Sequence, residues 1–311
     1  MKIAACSCLT AMICIHVALV AAEVPPPLAL RAQGGARVAL AQLAANPNKP
    51  YIAQLFAPGA KPIPLLDDSP PDHVHHHALM FALGVDATDF WAEKGIKNAG
   101  VQDVVEAVPA PAGDGFTQSL RWLATDGTPL LEESRRVRVR ATGAGADAVH
   151  WLDWESTITP AAARESVRLS GHHYYGLGMR FQPAWSNKGE FIWQDTAIQT
   201  TVRGDELLTA SEWCAARCTV EDRPVTALML AHPANPRPAR WFTMAKPFCY
   251  LSTALNLEKE PATLAKGESW TFRYSLAVLS APADHARLAG IAAGWKSAMP
   301  FPHGDTPLPG K

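Results

Sequence analysis

From Trp270 to Val278 the chain alternates without a break. Trp270, Phe272, Tyr274, Leu276 and Val278 take every second place, with smaller or polar residues between them. A period of two sends neighbours to opposite faces of a strand, so this segment reads as a half-buried antiparallel strand with those five on its core face. Val137 and Val139 alternate with Arg136, Arg138 and Arg140 in the same way. Ala148 to Thr159 carries Trp151, Trp154 and Ile158 with little helical order, and Thr226 to Ala231 is a short, almost wholly apolar run. Turn signals separate such runs: Thr125-Asp126-Gly127, Thr142-Gly143-Ala144-Gly145, Asn187-Lys188-Gly189 and Arg203-Gly204-Asp205. With 26 prolines and 21 glycines punctuating it, the chain is expected to be all-β, a large antiparallel sandwich of two sheets. The exception is Asp284 to Met299, which reads as a short C-terminal helix with Asp284 as N-cap and Pro300 as its stop.

The ends carry different signals. Lys2 precedes an apolar stretch from Ile3 to Ala22 that closes Val20-Ala21-Ala22 before Glu23, the small-residue pattern signal peptidase cuts. Residues 1–22 are therefore expected to be a secretory signal; the competing reading is an N-terminal membrane anchor, since the stretch is long enough to span. After cleavage, no membrane association is expected and the protein should be periplasmic or secreted. Residues 23–36 read as a flexible leader, 37–299 as a single sandwich domain and 300–311 as a tail. A net charge of −1 offers no basic field for nucleic acid. Cys214, Cys218 and Cys249 remain after the signal. An odd number permits at most one internal disulfide: Cys214 and Cys218 could bridge a short loop, or could stay buried thiols. Three cysteines without CxxC spacing make a poor zinc site.

The chemistry concentrates at Asp72-His73-Val74-His75-His76-His77-Ala78-Leu79, after the turn Asp67-Asp68-Ser69-Pro70-Pro71. Imidazole moves protons near neutral pH and is the commonest metal ligand. On a strand, alternation would send His73, His75 and His77 to one face and His76 to the other, a rule a loop would relax. His73, His75 and His77 are also donors suited to zinc, iron or copper, which is the alternative metal-dependent reading. All ten tryptophans lie beyond residue 22. Core packing is their ordinary role, but Trp91, Trp185, Trp193 and Trp241 lie near polar clusters, and an indole face can floor a sugar site. His172-His173-Tyr174-Tyr175 forms a second polar-aromatic cluster.

The histidine segment, with Lys49-Pro50-Tyr51 before it and Asp89-Phe90-Trp91 after it, resembles a large bacterial family often labelled methane oxygenase (PmoA family). Its members carry a D-H-P-x-H-[HR]-G-L stretch and, far downstream, D-H-P-x-N-P-R followed by a Trp. Here the second stretch is Ala231-His232-Pro233-Ala234-Asn235-Pro236-Arg237, with Trp241 after it, and Gly176-Leu177-Gly178-Met179-Arg180 and Trp213 also fit. The resemblance covers about residues 36–280. The chain departs from it at Val74, Ala78 and Ala231; an alanine at 78 is costly if that position needs φ > 0. The resemblance implies a sandwich related to galactose mutarotases and sugar lyases, and a role on carbohydrate by fold analogy.

These readings combine into an expectation. The protein is an exported carbohydrate-active lyase, epimerase or hydrolase, its partner a small sugar or glycan and its oligomeric state open. His73 and His76 handle protons, and Glu190 (or Asp153) is the base. His77, Arg180, Asn235, Arg237 and Trp241 bind substrate, the arginines through their forked donors. No cofactor is required, a divalent metal being the alternative. A non-catalytic carbohydrate-binding protein is the third reading. His73, His76, Asn235 and Arg237 are expected to converge in one concave site.

Overall fold

A computed structural model describes residues 25–45, 47–93, 95–299 and 301. The expected signal segment and all of the tail except Phe301 lie outside these. The described chain folds into three antiparallel sheets and one helix. The first sheet has ten strands and runs from an edge at Leu28–Arg31, through Tyr51–Ala57, Leu79–Ala82, Gly176–Arg180, Tyr250–Ala254 and Arg240–Met244, to the hairpin Glu206–Ala210 and Ile198–Arg203. The second has eight, with Arg223–Ala231, Trp270–Leu279, Val149–Pro160 and Pro129–Thr142 at its centre. A small four-stranded sheet holds Ala262–Ala265, Ser166–Ser170, Gly84–Val85 and Thr88–Asp89. This is the all-β sandwich that the alternation called for. Leu28–Arg31, expected to be loose leader, is instead paired along Arg37–Gln42, with Leu30 fully buried.

The main core lies between the two large sheets. Leu55, Phe81 and Leu251 from the first meet Trp122, Trp154, Phe272 and Leu276 from the second. Trp270–Leu279 carries the expected face, with Phe272, Tyr274, Leu276 and Val278 buried and Trp270 at the margin. Its other face is buried as well: Ala277 and Leu279 pack with Trp151, Leu228 and Leu230 against Leu288, Ala292 and Trp295 of the helix His285–Ala298. The helix thus caps the outer face of the second sheet. The Asp284 carboxylate accepts from the Arg287 backbone N–H at 2.9 Å, the expected N-cap. No helix among the described residues is long and apolar enough to cross a membrane.

Cys214, Cys218 and Cys249 are all buried thiols. A Cys214–Cys218 bridge is ruled out by geometry. Both lie on the strand Trp213–Val220, where four residues of rise separate them by roughly 13 Å, against the roughly 7 Å limit for a disulfide.

Candidate functional site

The histidine segment is a loop, and its shape comes from its own backbone. His73 N–H donates to the Pro70 carbonyl and His76 N–H to the His73 carbonyl, both at 2.9 Å, making two successive turns. Ser69 N–H reaches back to the His76 carbonyl at 2.9 Å, and Asp68 and His77 close the base as an antiparallel bridge. The strand rule therefore does not apply, and the expected partition of side chains is corrected. His73, His75 and His76 point to one cavity, and His77 turns away beneath them.

His77 is locked into the frame. Its Nδ1 lies 2.8 Å from Asp68 Oδ1, and its Nε2 hydrogen-bonds Glu93 Oε1. Carboxylates only accept, so both ring nitrogens donate and the ring is an imidazolium. Burial opposes that charge, but the hydrogen bonds from the two acids prevail and raise the pKa of His77. The network continues on both sides. Tyr51 donates to Asp68 at 2.8 Å and stacks on His77 at 4.5 Å. Lys49, fully buried, lies 3.7 Å from Glu93 and donates to the Trp91 carbonyl at 3.1 Å. Burial brings Lys49 down to about 8. Four ionisable groups so balance one another under the loop. Both ring nitrogens of His77 are committed to the frame, and the residue does not line the cavity above it.

His76 has the opposite fate. Arg180 Nη1 donates to its Nδ1 at 3.3 Å. A guanidinium has no acceptor, so Nδ1 must be unprotonated and Nε2 carries the hydrogen. Burial first, then the neighbouring His75, His73 and Arg180, push the His76 pKa down to about 2. His76 is thus a neutral N–H donor at any working pH. Arg180 is itself fixed. Its Nη2 holds both oxygens of Asp72 at 3.0 and 2.8 Å, and its guanidinium carbon stands 3.4 Å from the centre of the Phe248 ring. Burial works against the Asp72 carboxylate, but hydrogen bonds from Arg180 and His73 prevail and hold it at about 2.

Strand register supplies the floor. Arg180, Tyr250 and Met244 are direct cross-strand partners on three adjacent strands, so they share a face. Two residues along, Gly178, Ser252 and Phe242 form the next row. A Cβ at Gly178 would lie 2.2 Å from the Tyr250 hydroxyl oxygen, so only glycine leaves room for that ring. Ala78, at the loop's exit, sits at φ 40, in the left-handed region that glycine adopts more readily.

The resulting cavity encloses about 400 Å³ and is lined by His73, His75, His76, Trp91, Tyr174, Arg203, Glu206, Phe242, Met244, Pro247, Phe248 and Tyr250. His73 stacks on His76 at 4.7 Å, and its Nδ1 lies 3.1 Å from Asp72. Burial and then the charge of His73 lower the pKa of His75. The carboxylate here is Glu206, which was not anticipated. It is nearly buried, and its Oε1 accepts from Arg203 Nη2 at 2.6 Å. Its Oε2 stands 3.7 Å from Nε2 of His173, whose Nδ1 faces Glu258 at 3.1 Å.

Other expected site residues lie elsewhere. Glu190 pairs with Arg217 on a separate surface groove. Asp153 lies on the second sheet, bound to Arg140 and Ser275. Asn235 bonds both ways to the Arg273 backbone, at 2.8 and 3.0 Å, and Arg237 holds Glu260. Neither lines the cavity, so the expected convergence with His73 and His76 is not met. His232, beside the Ala231 departure, accepts from Ala234 N–H and packs near Trp295 and Phe301. Trp241 is a core residue whose indole donates to the Ser211 carbonyl at 2.8 Å; alternation turns it away from the face that carries Phe242 and Met244. Trp185 stacks on Phe181 in the core, and Trp193 is packed against that core. Of the four candidate tryptophans, Trp91 lines the cavity.

His73, His75 and His77 cannot chelate one ion together, because both nitrogens of His77 are bound elsewhere. No group of three or more His, Cys, Asp or Glu side chains among the described residues is arranged to hold a metal.

No curated protein matches this chain. One family model matches residues 30–293, and its description, a family of unknown function (DUF6807), assigns no methane oxygenase activity. The match takes in every element that builds the cavity, and the chain is a member of the DUF6807 family.

Proposed function

We propose that the cavity binds a sugar ring and that the groups around it move a proton on that ring. The protein would then be an exported carbohydrate-active epimerase, lyase or hydrolase. One observation carries the reading: three histidines and a carboxylate line a single cavity whose other walls are mostly aromatic. Aromatic faces suit the apolar C–H faces of a pyranose. Proton transfer at a C–H or a ring oxygen needs an acid and a base held around the same ring. His73 and Glu206 are the proton-transfer pair in this reading. His76 donates its fixed Nε2–H to a substrate oxygen and stabilises charge that develops there. Arg180 acts on the substrate only through His76.

The reading favours epimerisation or elimination over two-carboxylate hydrolysis. The ordinary glycosidase pair would need a second acid lining the cavity, and Glu206 is the only Asp or Glu in the described lining. The location outside the cytoplasm rests on the N-terminal pattern.

The test is a panel of monosaccharides and short glycosides titrated into purified protein. Intrinsic fluorescence follows the ten tryptophans, Trp91 among them, calorimetry reads binding in parent and variant alike, and anomeric or C–H proton exchange is followed by NMR. Binding that disappears in Trp91→Ala, with exchange catalysed by the parent protein, is the expected result. A panel in which no sugar perturbs the fluorescence and no proton exchanges would reject the reading. Binding without exchange would leave a carbohydrate-binding protein in place of an enzyme.

A further inference from the structure

Ionic groups near the cavity come in compensated sets. Arg203 and Glu206 are the two lining residues of fixed opposite charge, joined through Glu206 Oε1 at 2.6 and 3.2 Å. Behind His76, Arg180 spends Nη2 on Asp72 and Nη1 on His76. The third cationic candidate, His73, lies 3.1 Å from the same Asp72. His75 and His76 are both pushed toward the neutral form.

An anionic ligand finds no cation without a carboxylate partner: Arg203 could offer its Nη1 only beside the Glu206 carboxylate that already balances its charge. Taking Arg203 would strand Glu206, whose side chain is only 9% exposed, and an unpaired carboxylate at that depth is strongly unfavourable. Taking Arg180 would break the contact that fixes the His76 tautomer and pull the guanidinium off Phe248. A cationic ligand meets the mirror problem, since Glu206 is already engaged by Arg203. A polyhydroxylated neutral ring meets neither: it finds a donor at His76 and an acceptor at the neutral ring of His75, and stacks on Trp91, Tyr174 or Phe242.

We infer that this cavity selects an uncharged sugar, against uronates, sugar phosphates and amino sugars of the same ring. The inference rests on the sugar reading above and narrows its substrate class. Matched ligands test it: glucose against glucuronate, glucose 6-phosphate and glucosamine, and galactose against galacturonate, each titrated at pH 7 by calorimetry. The neutral member of each set should bind at least about tenfold tighter, the scale of an uncompensated charge at a closed site.

Two variants move the balance in opposite directions. Glu206→Gln frees Arg203 and should raise uronate affinity by about tenfold relative to glucose. Arg203→Gln, at a side chain 80% exposed, leaves the carboxylate alone and should favour glucosamine over glucose by a similar factor. The second variant keeps the test alive if the first fails to fold. A parent protein that prefers a uronate, a phosphate or glucosamine overturns the charge assignment alone. Variants that fold and leave the ranking unchanged do the same. Failure of every sugar, charged or neutral, removes the sugar reading and this inference with it.

Discussion

The loop Asp68–His77 and the segment His232–Arg237 look alike as strings. Each mixes histidine, proline and hydrogen-bonding side chains next to a strand of a large sheet. The fold treats them differently. In the second segment the polar groups serve the frame: Asn235 mimics a strand neighbour for Arg273, and Arg237 is clamped to Glu260 by its side chain and its carbonyl, at 3.0 and 2.9 Å. In the first, the duty is split between adjacent residues. His77 satisfies both nitrogens within the frame, while His76 commits one and keeps the other for the cavity. What separates a structural motif from a functional one is therefore the destination of its hydrogen bonds, not its composition.

The largest effect expected from this contrast is at His76. His76→Ala should lower turnover on a substrate found by screening by about 10²–10⁴-fold with the melting curve little changed. Full activity in that variant would place both motifs on the structural side. Its neighbour should behave in reverse. His77→Ala removes the positive charge that Asp68 and Glu93 share, leaving them Tyr51 and Lys49, and should cost about 3 kcal/mol in urea unfolding. The raised pKa of His77 fixes how that cost varies with pH. A proton held more tightly in the folded state stabilises it fully below the unfolded imidazole value of about 6.5, and this contribution fades as pH rises through the folded value. The gap between parent and variant should therefore narrow in mildly alkaline buffer; a gap that widens would contradict a charged His77.

Asn235→Ala should cost about 1–2 kcal/mol of stability by unpairing the Arg273 backbone, and leave ligand affinity untouched. Loss of affinity there would restore the joint site that the sequence suggested. The smallest effect is at Ala78. At φ 40, Ala78→Gly should raise stability by about 1 kcal/mol, visible as a small upward shift of the melting midpoint.

How much of this was legible in the sequence depends on what each feature needed. Alternation from Trp270 to Val278 needs only a period, and it located the strand and its core face. Burial of the opposite face depends on where the helix His285–Ala298 docks, and a short-range pattern does not carry that. The histidines were visible as a cluster, but their sorting depended on two turns inside a loop, where strand alternation misled. Glu206 was invisible because it follows Arg203-Gly204-Asp205, an ordinary hairpin turn, and a charged residue there reads as solvated surface. Tyr174 had a weak signal in the His172–Tyr175 cluster. Asn235 and Arg237 misled because a backbone-mimicking Asn and a clamping Arg use the same side chains as a binding site.

The hairpin that carries Arg203 and Glu206 lies at the rim of the ten-stranded sheet, and every residue of its outer strand, Ile198–Arg203, is exposed. One wall of the cavity thus belongs to an edge hairpin whose outer strand is exposed and whose inner strand, Glu206–Ala210, is anchored by Leu208 in the main core, while the histidine wall is tied to a buried ionic frame. The outer strand, with no buried residue, opens at low free energy without disturbing the core. Entry and exit of a ligand then become a property of the rim, with a rate that changes at this hairpin can tune separately from the geometry of the histidines.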